Sequence, residues 1–284
     1  MLKKLLKYEF KSVSRILTPL FLGTLTLSII SALLFTINYR FLSRSEASDV
    51  VTNLFSTVLI TILIFSIIAI IASYLVALFI LLQRVYKNFF GDEGYLTFTL
   101  PATVNQHLVS KLISGFIWMT LSGLTVLVSG VLLIGFGTAE SGEIINTFVF
   151  EEVFDLIDYA FEIIGTTNMV LYIIEGIVLV GVVLAAQLML YYLAITIGCI
   201  IAKKHKILAS IGVYFGINTA TGTIINVVLV LLFMRDRDWD NSTIDSLYTT
   251  SHIYLVVIIA LFFIMGAAAF FISNRMLKKN LNLE

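Results

Sequence analysis

Cysteine, proline and charge are all scarce in this chain of 284 residues. A single cysteine, Cys199, permits no internal disulfide and no cysteine-based zinc site. Two prolines, Pro19 and Pro101, leave long stretches in which nothing interrupts a helix. Charged residues make up 13% of the chain, against roughly 25% in an ordinary soluble domain. Recognisable catalytic motifs are missing as well. There is no GxxxxGK[ST] phosphate loop, no HExxH or CxxC and no nucleophile elbow, and the three histidines, His107, His205 and His252, fall in three separate segments. The chain is expected to hold no metal or cofactor and not to be an enzyme.

What is abundant is apolar sequence. Hydrophobic residues are 59% of the total and the mean hydropathy is +1.02. One soluble core could not bury so much apolar sequence, so a soluble enzyme or nucleic-acid binder is excluded and an all-α polytopic membrane protein is expected. Met1–Arg15 followed by an apolar stretch has the outline of a signal peptide. Ile16–Ile37, however, has about the twenty residues that span a bilayer, and five more such segments follow, so the start is read as part of the mature protein.

Apolar windows place six spans at 17–37, 51–82, 112–137, 169–201, 208–233 and 253–274, within a single transmembrane domain over 1–284. The segments 1–16, 83–111, 202–207 and 275–284 carry fourteen of the eighteen Lys and Arg; the alternate segments carry only Arg40, Arg44, Arg235 and Arg237. The positive-inside rule therefore puts both termini in the cytoplasm; the bacterial cell (plasma) membrane is what the family resemblance described below implies. Thirteen acids fall on the opposite side. Spans 51–82 and 169–201 exceed the roughly 30 Å hydrocarbon layer, and the first is expected to run on through Gln83–Lys87, because no breaker precedes Gly91.

At the N-terminus, Lys4, Lys7, Lys11 and Arg15 recur at helical spacing while Leu2, Leu5, Leu6, Val13 and Leu17 fill another face. That pattern fits an interfacial elbow helix over 1–16 that turns at Thr18–Pro19; it also fits an ordinary basic orientation signal continuous with the first span.

The one long cytoplasmic connection is 83–111. Gly91 and Gly94 bracket Asp92 and Glu93 as a turn, Pro101 precedes a helix start, and Thr103 or Asn105 is suited to cap it. Tyr95, Leu96, Phe98 and Leu100 offer apolar surface that either docks a partner or folds back on the membrane interface. The run from Arg84 to Trp118, through Tyr86-Lys87-Asn88-Phe89-Phe90-Gly91-Asp92-Glu93-Gly94-Tyr95-Leu96 to Leu100-Pro101, resembles the first cytoplasmic loop of ABC-2 type permease subunits. These are the membrane halves of ATP-binding-cassette exporters in Gram-positive bacteria. The resemblance implies a coupling helix over Gly91–Leu100 seated in a separate ABC ATPase that carries ATP and Mg, an elbow helix, and a membrane core that dimerises with itself or a second permease. It implies export of amphipathic or hydrophobic substrates such as antimicrobial peptides, drugs or lipids.

Three other features bear on function. Within 138–168, Glu151, Asp155, Asp158 and Glu162 occupy one helical face and Phe150, Val153, Phe154, Ile157, Phe161 and Ile164 the other, which predicts an external amphipathic helix; it is either a funnel for cations or a plain solvated face. In span five Gly212 and Gly216 form a GxxxG, and Asn218 and Asn226 lie about two turns apart. With Gln187 of span four they suggest a translocation path or a dimer seam. Glu175 is the only formal charge within a span, and it either snorkels to the headgroups or couples to protons or substrate. A secondary transporter or channel working without an ATPase is the alternative reading.

Overall fold

Lipid offers no hydrogen-bond partner to an exposed peptide group, so apolar runs of this length must close their backbone bonds internally as helices. In the computed structural model they do. The structure describes residues 1–42, 49–91, 94, 99, 101–137, 147–202, 204–235 and 244–280. Among them are seven helices and no strand: α1 (Leu2–Leu42), α2 (Asp49–Phe90), α3 (Val104–Gly137), α4 (Thr147–Ile164), α5 (Thr166–Ile201), α6 (Lys206–Arg235) and α7 (Ile244–Asn280). All except α4 are long and apolar enough to cross a membrane. The chain is a multi-pass membrane protein, and each expected span lies inside one of these six helices.

One expectation is corrected. No separate elbow helix ends at Thr18–Pro19, because α1 continues unbroken through Pro19 to Leu42. Proline removes one amide donor, and the turns on either side keep their own bonds, so helix on both sides carries the segment through. The amphipathic pattern itself persists in the first turns: Lys4, Lys7, Lys11 and Arg15 are exposed while Val13 and Leu17 are buried. By its internal contacts the chain divides into two compact units.

One unit comprises 10–81 and 117–163. Its interior combines aliphatic side chains such as Leu17, Ile70 and Leu81 with small hydroxyl residues. Ser28 on α1, Ser66 on α2 and Ser122 and Ser129 on α3 are almost wholly buried. Ser28 Oγ and Ser66 Oγ donate to carbonyls of their own helices, Leu25 and Ile62, at 2.8 and 2.9 Å. Small side chains let helices approach closely where lipid supplies no hydrophobic drive for association. Trp118 of α3 anchors α1, with the rings of Phe10 and Phe21 at 6.2 and 6.1 Å. α4 belongs mostly to this unit, and both its acids (Glu151, Asp155, Asp158, Glu162) and its apolar residues (Phe154, Leu156, Ile157) are exposed.

The other unit comprises 1–9, 82–116 and 164–284. Its central helix is α5, which packs along both α6 and α7. Glycines set the close approaches. A Cβ on Gly266 of α7 would lie 3.0 Å from Cα of Ala186 in α5, and one on Gly198 of α5 only 2.4 Å from Cα of Ser210 in α6. α5 stops at Ala202, whose amide still bonds to the Gly198 carbonyl at 3.0 Å. Four residues later α6 begins, so the two helices form a tight hairpin, and Gly198 is where their backbones meet. At the other end, α4 and α5 are separated only by Gly165, whose φ of +81° places it in the region glycine tolerates best.

Candidate functional site

The polar groups of the second unit collect at two places along α5. The first surrounds Glu9. Its Oε1 accepts from Lys111 Nζ of α3 at 2.8 Å, and its Oε2 from Arg84 Nε of α2 at 2.7 Å. Asn88, one turn beyond Arg84, lies 3.5 Å from the same carboxylate. Lys111 is 4% exposed and Glu9 13%. Two cations and one carboxylate are thus largely removed from water, and such a group is tolerable only because each charge has a partner. Lys111 Nζ also sits 5.3 Å from the centroid of the Phe89 ring. The hydroxyl of fully buried Tyr192 on α5 donates to the Lys111 carbonyl at 3.3 Å. A Cβ on Gly115, one turn beyond Lys111, would come within 2.7 Å of that hydroxyl, so α3 and α5 touch here. Four helices converge on one ionic node.

The node stands at the two ends of the 91–103 connection. α2 finishes at Phe90, and the amide of Gly91 bonds to the carbonyls of Tyr86 and Lys87, both at 3.2 Å. A Cβ on Gly91 would press to 2.9 Å on the Lys87 carbonyl oxygen. The amide of Gly94 bonds back to Gly91 at 2.9 Å. The expected turn at Gly91 and Gly94 is therefore present, and Gly94 is buried. Asp92, Glu93, Tyr95, Leu96, Phe98 and Leu100 lie outside the described residues. Across the connection, α3 starts with a reciprocal capping box. The Gln106 amide donates to Thr103 Oγ1 and the Thr103 amide to Gln106 Oε1, both at 3.3 Å. Of the two caps suggested by sequence, Thr103 is the one used.

The second collection lies further toward the start of α5. Glu175 Oε2 is 2.8 Å from His252 Nδ1 of α7. Tyr172 stacks on the imidazole at 4.2 Å between centroids, and its hydroxyl meets Ser251 Oγ in a short hydrogen bond. Between these two places Gln187 Nε2 donates to Tyr214 OH of α6 at 2.7 Å, and Tyr214 donates in turn to Tyr191 at 3.2 Å.

The span-five residues are not gathered with Gln187. Gly212, Gly216, Asn218 and Asn226 are all exposed, and nothing lies within 4 Å of where a Cβ on either glycine would be. Asn226 Nδ2 satisfies itself on the Gly222 carbonyl of its own helix, at 2.9 Å. Sequence reasoning missed Glu9, Arg84, Lys111 and Tyr192, and it missed His252 as the partner of Glu175. One signal was there to read: Glu9 is the first acid of the chain and stands alone among five cations in 1–16.

No protein-family model matches the chain, and no characterised protein or solved structure matches it either.

Proposed function

We propose that the chain is the membrane-spanning permease subunit of an ATP-driven ABC-2 type exporter, in which a separate ATPase carries ATP and Mg and the loop 83–111 receives its motion. The single observation that best supports this reading is the bracing of Glu9 against Arg84 and Lys111. Those residues stand on the two helices that flank the connection, and Glu9 begins the first span. A push on the loop displaces the ends of α2 and α3, and a buried ion pair resists separation, so α1 follows. Packed helices respond to such a displacement as rigid bodies, which alters access to a path between them.

The resemblance of 84–118 to the coupling loop of that family supports the same reading, as does the lack of a phosphate loop in this chain. In this proposal Gly91–Leu100 is the ATPase contact. The exposed face of Gly212, Gly216, Asn218 and Asn226 is a dimer seam or translocation path, shared with an identical or second permease. Both termini lie in the cytoplasm of a bacterial plasma membrane, and the acidic helix α4 lies outside. The exported molecules are amphipathic or hydrophobic.

The test is co-expression of the tagged chain with its genomic neighbours and purification in detergent, beside a Tyr95→Ala, Leu96→Ala, Phe98→Ala variant. An ATPase that accompanies the wild type and is lost from the folded variant is the expected result. A wild-type chain that purifies intact with no ATPase overturns the reading.

A further inference from the structure

We propose that α4 lies in the interface of the bilayer, with its apolar face among the lipid acyl chains and its acids in water. The inference goes beyond the permease reading and does not rest on an ATPase partner. The eighteen residues of α4 include five acids, Glu151, Glu152, Asp155, Asp158 and Glu162, and no Lys or Arg. The helix is not among those apolar enough to cross a membrane. At helical periodicity Val153, Phe154, Ile157, Phe161 and Ile164 fall within an arc of about 100°, while Glu151, Asp155, Asp158 and Glu162 fall within a separate one. Nothing among the described residues covers the apolar side: Val153, Phe154, Leu156, Ile157 and Ile163 are 40–66% exposed. The acids are exposed too.

What covers that side follows from depth, and α5 supplies the ruler. Tyr192 of α5 donates to the Lys111 carbonyl, beside the node of Glu9, Lys111 and Arg84 and close to where α2 ends and α3 begins. Charges and helix ends belong at an edge of the hydrocarbon layer rather than at its centre. Twenty-seven residues separate Tyr192 from Gly165, about 40 Å of helix, whereas the hydrocarbon is roughly 30 Å thick and the bilayer with its headgroups roughly 40–45 Å. An upright α5 therefore brings Gly165 to headgroup depth on the far side, and tilt draws it nearer the hydrocarbon. Exposed apolar side chains continue up α5 toward that level, from Ile177 through Ile174 to Leu171 and Val170. Gly165, at a φ of +81°, interrupts the helix, and its carbonyl already accepts the first bond of α5, from the Met169 amide at 3.0 Å. Ile164 is the next residue, so α4 ends at the same depth. An apolar arc that needs cover and acids that need water are both satisfied when the helix lies in the interfacial plane, its apolar face about 5–10 Å into the headgroup and acyl boundary. Standing in water satisfies only the acids. Since every charge on α4 is negative, anionic headgroups add no attraction, and the apolar arc alone holds the helix down.

The test uses the full chain in phosphatidylcholine vesicles, carrying Cys199→Ser and one added cysteine labelled with a nitrobenzoxadiazole fluorophore. Phe154→Cys and Ile157→Cys report on the apolar face, Asp155→Cys and Glu162→Cys on the acidic face, and Ile177→Cys on the depth of α5. A spin label on the acyl chains should quench the apolar-face reporters roughly twofold or more over the acidic-face ones, and iodide present on both sides of the bilayer should reverse that order. The Ile177→Cys reporter should behave as the apolar-face ones do. Equal quenching of both faces by iodide overturns the proposal, because α4 then stands in water. Apolar-face reporters shielded from both quenchers overturn it too, because a protein surface, a second copy or another chain, then covers the arc. An Ile177→Cys reporter that the acyl chains do not quench removes the depth on which the proposal stands. Each face carries two reporters, so one that disturbs folding leaves the other to decide.

Discussion

Glu9 and Lys111 are 102 residues apart in the chain, yet the lysine ammonium lies 2.8 Å from the glutamate Oε1 with only 4% of its side chain exposed. A charge so placed depends on its partner. Glu9→Ala should destabilise the protein by roughly 3–5 kcal/mol, because it leaves Lys111 buried without its carboxylate. The double change Glu9→Leu, Lys111→Met should recover most of that loss. Denaturation of the three proteins in one detergent reads the difference directly, and a double variant no better than Glu9→Ala would show that the pair does not act as a unit.

The glycines of α5 and α6 should respond in opposite ways. Gly198→Ala places a methyl group 2.4 Å from the Ser210 backbone, which a rigid neighbour cannot yield to, so a cost of about 1–3 kcal/mol is expected. Gly212→Ala and Gly216→Ala meet nothing within 4 Å. They should leave the stability of the single chain unchanged or slightly raised, and, on the proposed function, weaken self-association. Unfolding and light scattering on the same samples separate the two effects, and a Gly212→Ala protein that unfolds as early as Gly198→Ala would contradict the packing described.

The capping box at the start of α3 is a smaller matter with a clear number. Thr103→Ala removes the side-chain acceptor of the Gln106 amide and should cost about 1 kcal/mol. Thr103→Ser restores the hydroxyl and most of the stability. Because the box stands at the end of the 91–103 connection, amide hydrogen exchange in the first turn of α3 is the sensitive measurement, and it should quicken in the alanine variant alone.

Six spans are legible from hydropathy because the pressure toward helix in lipid acts on each segment by itself. The turn at Gly91 and Gly94 and the cap at Thr103 are legible for a related reason: their partners are a few residues away. At Pro19 the turn was inferred from the disfavoured helical conformation of the residue before a proline, whereas the flanking turns hold the helix on both sides. The GxxxG at Gly212 correctly marks a face of small residues, but the helix contacts within the chain use Gly198 and Gly266, which carry no such motif.

Glu9, Glu175 and Gln187 show where local reasoning stops. Periodicity states which residues share a helix face, and charge counts state that an acid in an apolar setting needs a partner. Neither states which face of which helix will arrive opposite. Membrane residence, the helical content, the spans and the caps were therefore determined by sequence alone, since each follows from interactions within one segment. That Glu9 meets Lys111 and Arg84, and Glu175 meets His252, was decided by the tertiary structure, because close helix packing brings together groups 75 to 102 residues apart.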